Sequence, residues 1–354
     1  MPFSIRKRID ILVIKMEISR FVLVPKIVEL HTNVSTIPGF KFGFRFCKCN
    51  NIGEEYSKCK IKIHYLVQKN IDISHSDSIK YREMIIRDNK QFLFKKKLFS
   101  ILRLKLLLDI KNESPIIKVN KIYHLLWRSS IGHIYPPGVV LHNILGMYLV
   151  LNGFIPICFS AVEIYGRSFI LIGISGSGKT ELICRVIKDC GKVIADDNLV
   201  IDKNGGIYGC IFLASHAKNL KPIYAHLKNK ENRISSLFKS PLTLFDAFGQ
   251  KNVSLTGEVE GVVFLERGKP RLKDISVEDG LNKIAILNKG NYFYETIPVT
   301  QALMTFNDKF SKIRNREEKI LEKALGGCRM AVIRGDSPKR LFDLFIRFAR
   351  RENT

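Results

Sequence analysis

Residues 168–188 read Ser168-Phe-Ile-Leu-Ile-Gly-Ile-Ser-Gly-Ser-Gly-Lys-Thr-Glu-Leu-Ile-Cys-Arg-Val-Ile-Lys188. An apolar run, a glycine loop and a helical pattern follow one another without a break. Ser168 to Gly173 reads as a buried strand. From Glu181 on, apolar residues at 182, 183, 186 and 187 have the spacing of a helix that buries one face. Between them, Gly173, Ile174, Ser175, Gly176, Ser177, Gly178, Lys179 and Thr180 complete a G-x-x-x-x-G-K-[ST] loop in the strand-to-helix setting that this motif requires. The glycines let the backbone curl so that successive N–H groups face phosphate oxygens, and the helix N-terminus adds partial positive charge. The pattern predicts a nucleoside triphosphate site, with Lys179 on the β- and γ-phosphates and the Thr180 hydroxyl on Mg²⁺.

Outward from the loop, the next acidic element comes quickly. Asp196 and Asp197 lie 16 and 17 residues after Thr180, one helix and one short strand later, in the run Lys192-Val-Ile-Ala-Asp-Asp-Asn-Leu-Val-Ile201. That run is expected to be a strand with the acidic pair inside it. Adjacent carboxylates on an extended chain project to opposite sides and can play different parts. One can serve the metal, and the other can accept a proton from an attacking hydroxyl.

These residues carry a resemblance. Ser160-Ala-Val-Glu-Ile-Tyr-Gly-Arg-Ser-Phe-Ile-Leu-Ile-Gly-Ile-Ser-Gly-Ser-Gly-Lys-Thr-Glu181, then Gly191-Lys-Val-Ile-Ala-Asp-Asp197, resembles the C-terminal domain of HPr kinase/phosphorylase, a relative of the phosphoenolpyruvate carboxykinases. Tyr-Gly before the loop strand, Glu after Lys-Thr and Ala-Asp-Asp on the next strand coincide. The close match spans residues 158–201, and a looser one runs from about 138 to the C-terminus. The resemblance implies a P-loop α/β domain using ATP and Mg²⁺, with Thr180 and Asp196 attending the metal. It assigns Lys179 to the phosphates and makes Asp197 the base for an acceptor hydroxyl. It also implies a homo-oligomer. Two departures accompany it. The family's histidine, seven residues before the Tyr of Tyr-Gly, is Cys158 here, and no glycine-rich signature loop follows Asp197.

The remaining chain bounds the alternatives. At 354 residues it exceeds the ~250–300 at which one core usually stops growing. A β-rich N-terminal domain over 1–136 and a P-loop domain over 137–354 are expected. Strands are read at Lys60–Val67, Gln91–Phe94 and Ile101–Leu106, and a short apolar helix at 138–152 ending on Asn152-Gly153. Ile155 to Gly166 reads as a strand with a tight turn, and Gly261–Glu266 and Arg329–Ile333 as further strands. A polar helix is expected near 308–325, and a last helix from Ser337 to Arg350, capped by Ser337-Pro338.

Residues 1–150 hold 26 Lys and Arg against 11 Asp and Glu, so much of the net charge of +25 lies there. No nucleic-acid motif accompanies it, and a solvated surface is the expectation. Lys95-Lys96-Lys97 reads as a charged strand edge. Residues 129–162 lack charges, but Pro136-Pro137, Asn152-Gly153 and Pro156 interrupt them, so no membrane span is expected. Charges interleave the first twenty residues, which argues against a secretory signal, and eight cysteines without framework spacing suit a reducing cytoplasm. Cys47, Cys49 and Cys59 with His31 and His64 match zinc spacing poorly. His216 and His226 follow the acidic pair, and Arg267, Lys269 and Arg271 form a basic turn that either touches phosphates or is solvated.

The composite expectation is a Mg-ATP-dependent kinase acting on a hydroxyl of a protein serine or a small molecule. The alternative is a catalytically inactive, nucleotide-dependent regulatory module. Carboxykinase chemistry has only the loop and the acidic pair in its favour.

Overall fold

The computed structural model describes residues 18–37, 47–48, 58–73, 77–98, 101–128, 138–189, 191–212, 243–292 and 294–351. It is a mixed α/β structure with two large mixed sheets. The first comprises β1 (Ser19–Val24), β2 (Val28–Thr32), β3 (Cys47–Lys48), β4 (Ile61–Val67), β5 (Ser78–Tyr81), β6 (Met84–Arg87), β7 (Gln91–Leu98), β8 (Leu102–Asp109) and β9 (Ile116–Val119). Their order is β3-β1-β2-β4-β9-β8-β7-β6-β5. Leu104, Leu106 and Leu108 are buried on one face of β8 while Arg103 is exposed and Lys105 half-buried on the other, and further along that second face Leu107 is buried with Leu93 under Ile71 and Ile73. β7 pairs with β8 throughout its length but with β6 only over Gln91–Phe94, so among the described strands Lys95–Lys97 lie on a stretch of β7 laddered on the β8 side alone, as a charged strand edge would be. Their charge is accommodated locally, with Lys95 at 2.9 Å from Asp72 and Lys96 at 3.5 Å from Glu83. Part of the basic excess is likewise paired, through Arg20 and Lys62 on the buried Glu29.

A short helix, α1 (Lys121–Arg128), packs on β8 and was not legible in the sequence. Then comes α2 (Gly138–Leu151), whose residues from Val140 to Val150 are all buried. A helix apolar all round must lie inside, and this one does. Each fully buried Leu, Ile or Val contributes ~1.5–3 kcal/mol, so the core rather than end-capping holds it. Gly146 is needed for close approach, since a Cβ there would stand 2.7 Å from the Tyr292 ring and 2.8 Å from the Tyr294 hydroxyl. No described helix is long and apolar enough to cross a membrane.

The second sheet contains β10 (Phe154–Ile157), β11 (Ser160–Ile164), β12 (Arg167–Ile172), β13 (Lys192–Ala195), β14 (Leu199–Asp202), β15 (Gly206–Gly209), β16 (Thr256–Arg267), β17 (Arg271–Ile275) and β18 (Arg329–Gly335). The expected single strand after Ile155 is thus two, broken at Cys158-Phe159, with a left-handed Tyr165-Gly166 turn leading into β12. The path runs β10-β14-β15-β16-β12-β11-β13, with β18 beside β16 and β17 outermost. β12, β16 and β18 are mutually parallel, and their continuous apolar runs are explained by burial on both faces. Val262 and Phe264 enter one core, Val263 and Leu265 the other.

The helices α3 (Lys179–Lys188), α4 (Leu244–Phe248), α5 (Val277–Asn291), α6 (Pro298–Phe306), α7 (Asp308–Ser311), α8 (Ile313–Leu325) and α9 (Pro338–Ala349), with a 3-10 turn at Gln250–Asn252, complete the described elements. The polar helix expected near 308–325 is interrupted at Lys312, and α5 and α6 are additions to the sequence reading. Ser337 caps α9 as expected, accepting the Arg340 N–H at 3.4 Å. The core beneath α2 is continuous between the sheets, joining Leu106 and Tyr65 of the first to Ile155 and Phe264 of the second.

His142 sits in that core, stacked 4.6 Å from the Tyr292 ring, and burial pushes its pKa down to about 4. An unfolded histidine titrates near ~6.5, so between these values the unfolded chain binds a proton that the folded chain refuses. This contribution is complete above pH ~6.5 and is lost as pH falls through 4. His124, also buried and lowered to about 4, acts with the same sign. Urea titrations at pH 7 and pH 4.5 should differ by at least ~2.5 kcal/mol, and His142→Gln should remove that share. A flat profile would contradict the neutral, buried imidazole.

Candidate nucleotide site

The loop 173–178 leaves the carboxyl end of β12 and enters α3. Gly176 and Gly178 have φ of 82° and 102°, where side chains are disfavoured. A Cβ on Gly173 would collide with Ser177 Oγ and lie 2.9 Å from the Leu265 carbonyl. The loop is therefore closed on its sheet side and open outward, where nothing stands within 4 Å of a Cβ placed on Gly176. Lys179 opens α3 and folds back, donating to the Gly173 carbonyl at 2.6 Å and the Ile174 carbonyl at 3.4 Å. Ile174 and Ser175 are exposed at the tip, and Thr180 is half-buried in the first helical turn.

The acidic pair comes to the same edge. β11 is antiparallel to both β12 and β13, so β13 ends on the side where the loop begins. Asp196 and Asp197 occupy the turn after β13, not the interior of a strand as the sequence suggested. The reason is local: Asp197 has φ of 63°, a left-handed conformation that ends the extended run before β14. Their environments differ sharply. Asp196 is buried at 2% exposure, whereas the Asp197 side chain is 35% exposed and lies 3.7 Å from Lys179 Nζ. The Asp197 N–H donates to Ser160 Oγ at 3.3 Å, anchoring the turn to β11.

Cys158 stands in the β10–β11 break. Burial first, and the Asp197 carboxylate second, push its thiol up to about 12, so it is neutral at ordinary pH. It therefore adds no titrating group to the acid beside it. No cluster of three or more His, Cys, Asp or Glu side chains able to hold a metal occurs among the described residues, at the Cys47 region or elsewhere. His31 and His64 meet edge to face, with ring centres 5.3 Å apart. Cys49, His216 and His226 lie outside the described residues.

The basic turn after β16 divides. Arg267 reaches the loop, its Nε donating to the Gly176 carbonyl at 3.2 Å and its Nη2 to Glu181 Oε2 at 3.0 Å. Arg271 instead lines a groove of about 480 Å³ on the α5 side, with Glu266, Lys273, Lys283 and Arg334. Lys269 belongs to neither site. Ser160 and Asn198 join the site without any motif to mark them. Their only sequence signal is a polar residue within or beside an apolar strand, and both are almost fully buried.

Two observations fit a phosphate ligand with its metal. Ser177 Oγ and Asn198 Oδ1 are buried at the loop and at the acidic turn without a hydrogen-bond partner among the described residues. Such groups are costly unless something satisfies them. The donor set also suits such a ligand, with loop amides and Lys179 for anionic oxygens and with carboxylates and a hydroxyl for a hard cation. No protein family matches the chain, and no curated protein matches it. Among solved structures the chain is similar to the HPr(Ser) kinase/phosphatase from Coxiella burnetii, at 11% identity and a TM-score of 0.26, covering 55% of this chain and 91% of that one. The functional reading rests on the loop and its neighbours.

Proposed function

We propose that this chain binds Mg-ATP at residues 173–180 and transfers the γ-phosphoryl group to a hydroxyl of a protein serine or a small molecule. The observation that carries the reading is the approach of Lys179 to Asp197 at 3.7 Å, with the glycine loop curled around the same ammonium. The loop amides and the α3 N-terminus would hold the phosphates, and Lys179 would neutralise charge on the group in transit. Thr180 and Asp196 would hold Mg²⁺, which supplies further neutralisation when bound. Asp197, the more exposed acid, would orient the acceptor hydroxyl and take its proton.

The resemblance of the 158–201 motifs to HPr kinase supports this assignment but does not name the acceptor. HPr recognition lacks its signature loop here. The neutral Cys158 thiol beside Asp197 is the observation favouring the second reading, a nucleotide-dependent regulatory module without turnover. ADP release from Mg-ATP by the purified protein separates the two. It is measured with and without a desalted lysate fraction and a panel of hydroxyl metabolites. Acceptor-dependent ADP is expected. Stoichiometric ATP binding with no ADP under any condition would replace the kinase with the module.

A further inference from the structure

We infer that Arg267 and Glu181 form a charge latch at the mouth of the 173–178 loop, and that a triphosphate takes Arg267 over from Glu181. The inference rests on the nucleotide reading above. Arg267 is the last residue of β16, which runs parallel to the loop strand β12, so its side chain emerges at the carboxyl edge beside the loop. Nε and Nη2 are both engaged, on the Gly176 carbonyl and on Glu181. The guanidinium lies against the last glycine of the loop: a Cβ on Gly178 would be 3.6 Å from Arg267 Nη2. Its planar fork is thus already directed along the loop that phosphates would occupy.

The present partner is a weak one. The Arg267 and Glu181 side chains are 41% and 39% exposed, and an ion pair in that setting contributes little. A triphosphate offers more charge and two oxygens in the geometry a guanidinium matches. Glu181 keeps a favourable place without Arg267, because a carboxylate in the first turn of α3 is stabilised by the helix dipole. That same carboxylate would repel a phosphate chain, so in the free protein Arg267 also masks an unfavourable charge. Among the described residues this edge also carries Lys179 and Asp197, which already face each other, and the buried Asp196.

The latch predicts effects of opposite sign. Arg267→Ala removes a phosphate ligand and unmasks Glu181, and should weaken binding of inorganic tripolyphosphate and of Mg-ATP roughly 10–100-fold. Glu181→Gln frees Arg267 and removes the repulsion, and should tighten both about 3-fold or more. Arg267→Lys should fall between wild type and Arg267→Ala, since a point charge replaces a fork. Binding is measured by calorimetry at fixed ionic strength, with the ligand-free thermal midpoint of each variant as the folding control. A purely structural clasp would make Arg267→Ala and Glu181→Gln shift affinity in the same direction, and that result overturns the latch. Wild-type binding that Arg267→Ala leaves unchanged overturns the latch alone. Failure of the wild type to bind either probe overturns the nucleotide reading together with it.

Discussion

Replacing Lys179 with alanine is expected to weaken Mg-ATP binding by roughly 10²–10³-fold and to remove phosphoryl transfer. Hydrogen bonds to charged groups contribute about 1.5–3 kcal/mol each, and this ammonium is assigned both β- and γ-phosphate oxygens. In the free protein the same ammonium is bound by the Gly173 and Ile174 carbonyls and faces Asp197. Those contacts hold it at the loop instead of letting it sample solvent, and the side chain is only 11% exposed. Less ordering entropy is then lost on binding. Lys179→Met, which keeps the aliphatic stem, separates loss of charge from loss of packing. Calorimetry with Mg-ATP reads the effect. Affinity in both variants within threefold of wild type would remove Lys179 from the phosphate site.

Asp197 should behave differently. Substitution by asparagine is expected to leave Mg-ATP affinity within about threefold and to lower transfer by roughly 10²–10⁴, the range over which a positioned base accelerates proton transfer. Asparagine is the sharper test because Asp197 has φ of 63°. Alanine in that left-handed conformation is strained, whereas asparagine tolerates it. Loss of turnover in Asp197→Ala alone would then report the backbone, not the carboxylate. The Asn variant keeps the backbone N–H bond to Ser160 and the size of the side chain. Single-turnover assays under saturating Mg-ATP isolate the transfer step. Unchanged turnover in Asp197→Asn would assign the proton elsewhere. A matched loss of affinity and transfer would mean that Asp197 works through Lys179, 3.7 Å away, as a binding partner and not as a base.

The contrast between the carboxylates extends that argument. A sequence with two adjacent aspartates leaves their roles interchangeable. In the fold, Asp196 is buried at 2% exposure while Asp197 stands partly exposed beside the ammonium. A substrate hydroxyl has a route to the second that it lacks to the first. Cys158 shapes the same corner: with its thiol pushed up to about 12, it does not compete with Asp197 for the proton near neutral pH.

The strand, loop and helix at 167–188, the α2 helix and the capped α9 were all legible in the amino-acid order. Each is governed by neighbours within a few residues: glycine φ preferences, apolar periodicity, and a serine one position before a proline. The return of the acidic pair was legible too, because one helix and one strand fix its distance from the loop. What the sequence read as one strand with an acidic pair inside became two strands and a turn, since the continuous apolar runs 193–195 and 199–201 do not mark where the chain reverses.

Which distant groups share the loop's edge was decided only by tertiary structure. Arg267 lies 91 residues after Gly176, and it reaches the loop because β16 pairs in parallel with β12. Arg271, four residues further on, is carried to another groove by the reversal into β17. Nothing in the spacing of a basic turn distinguishes these fates. Strand pairing between segments far apart in the chain does, because it is selected by the burial of both faces of the sheet at once and not by local preference.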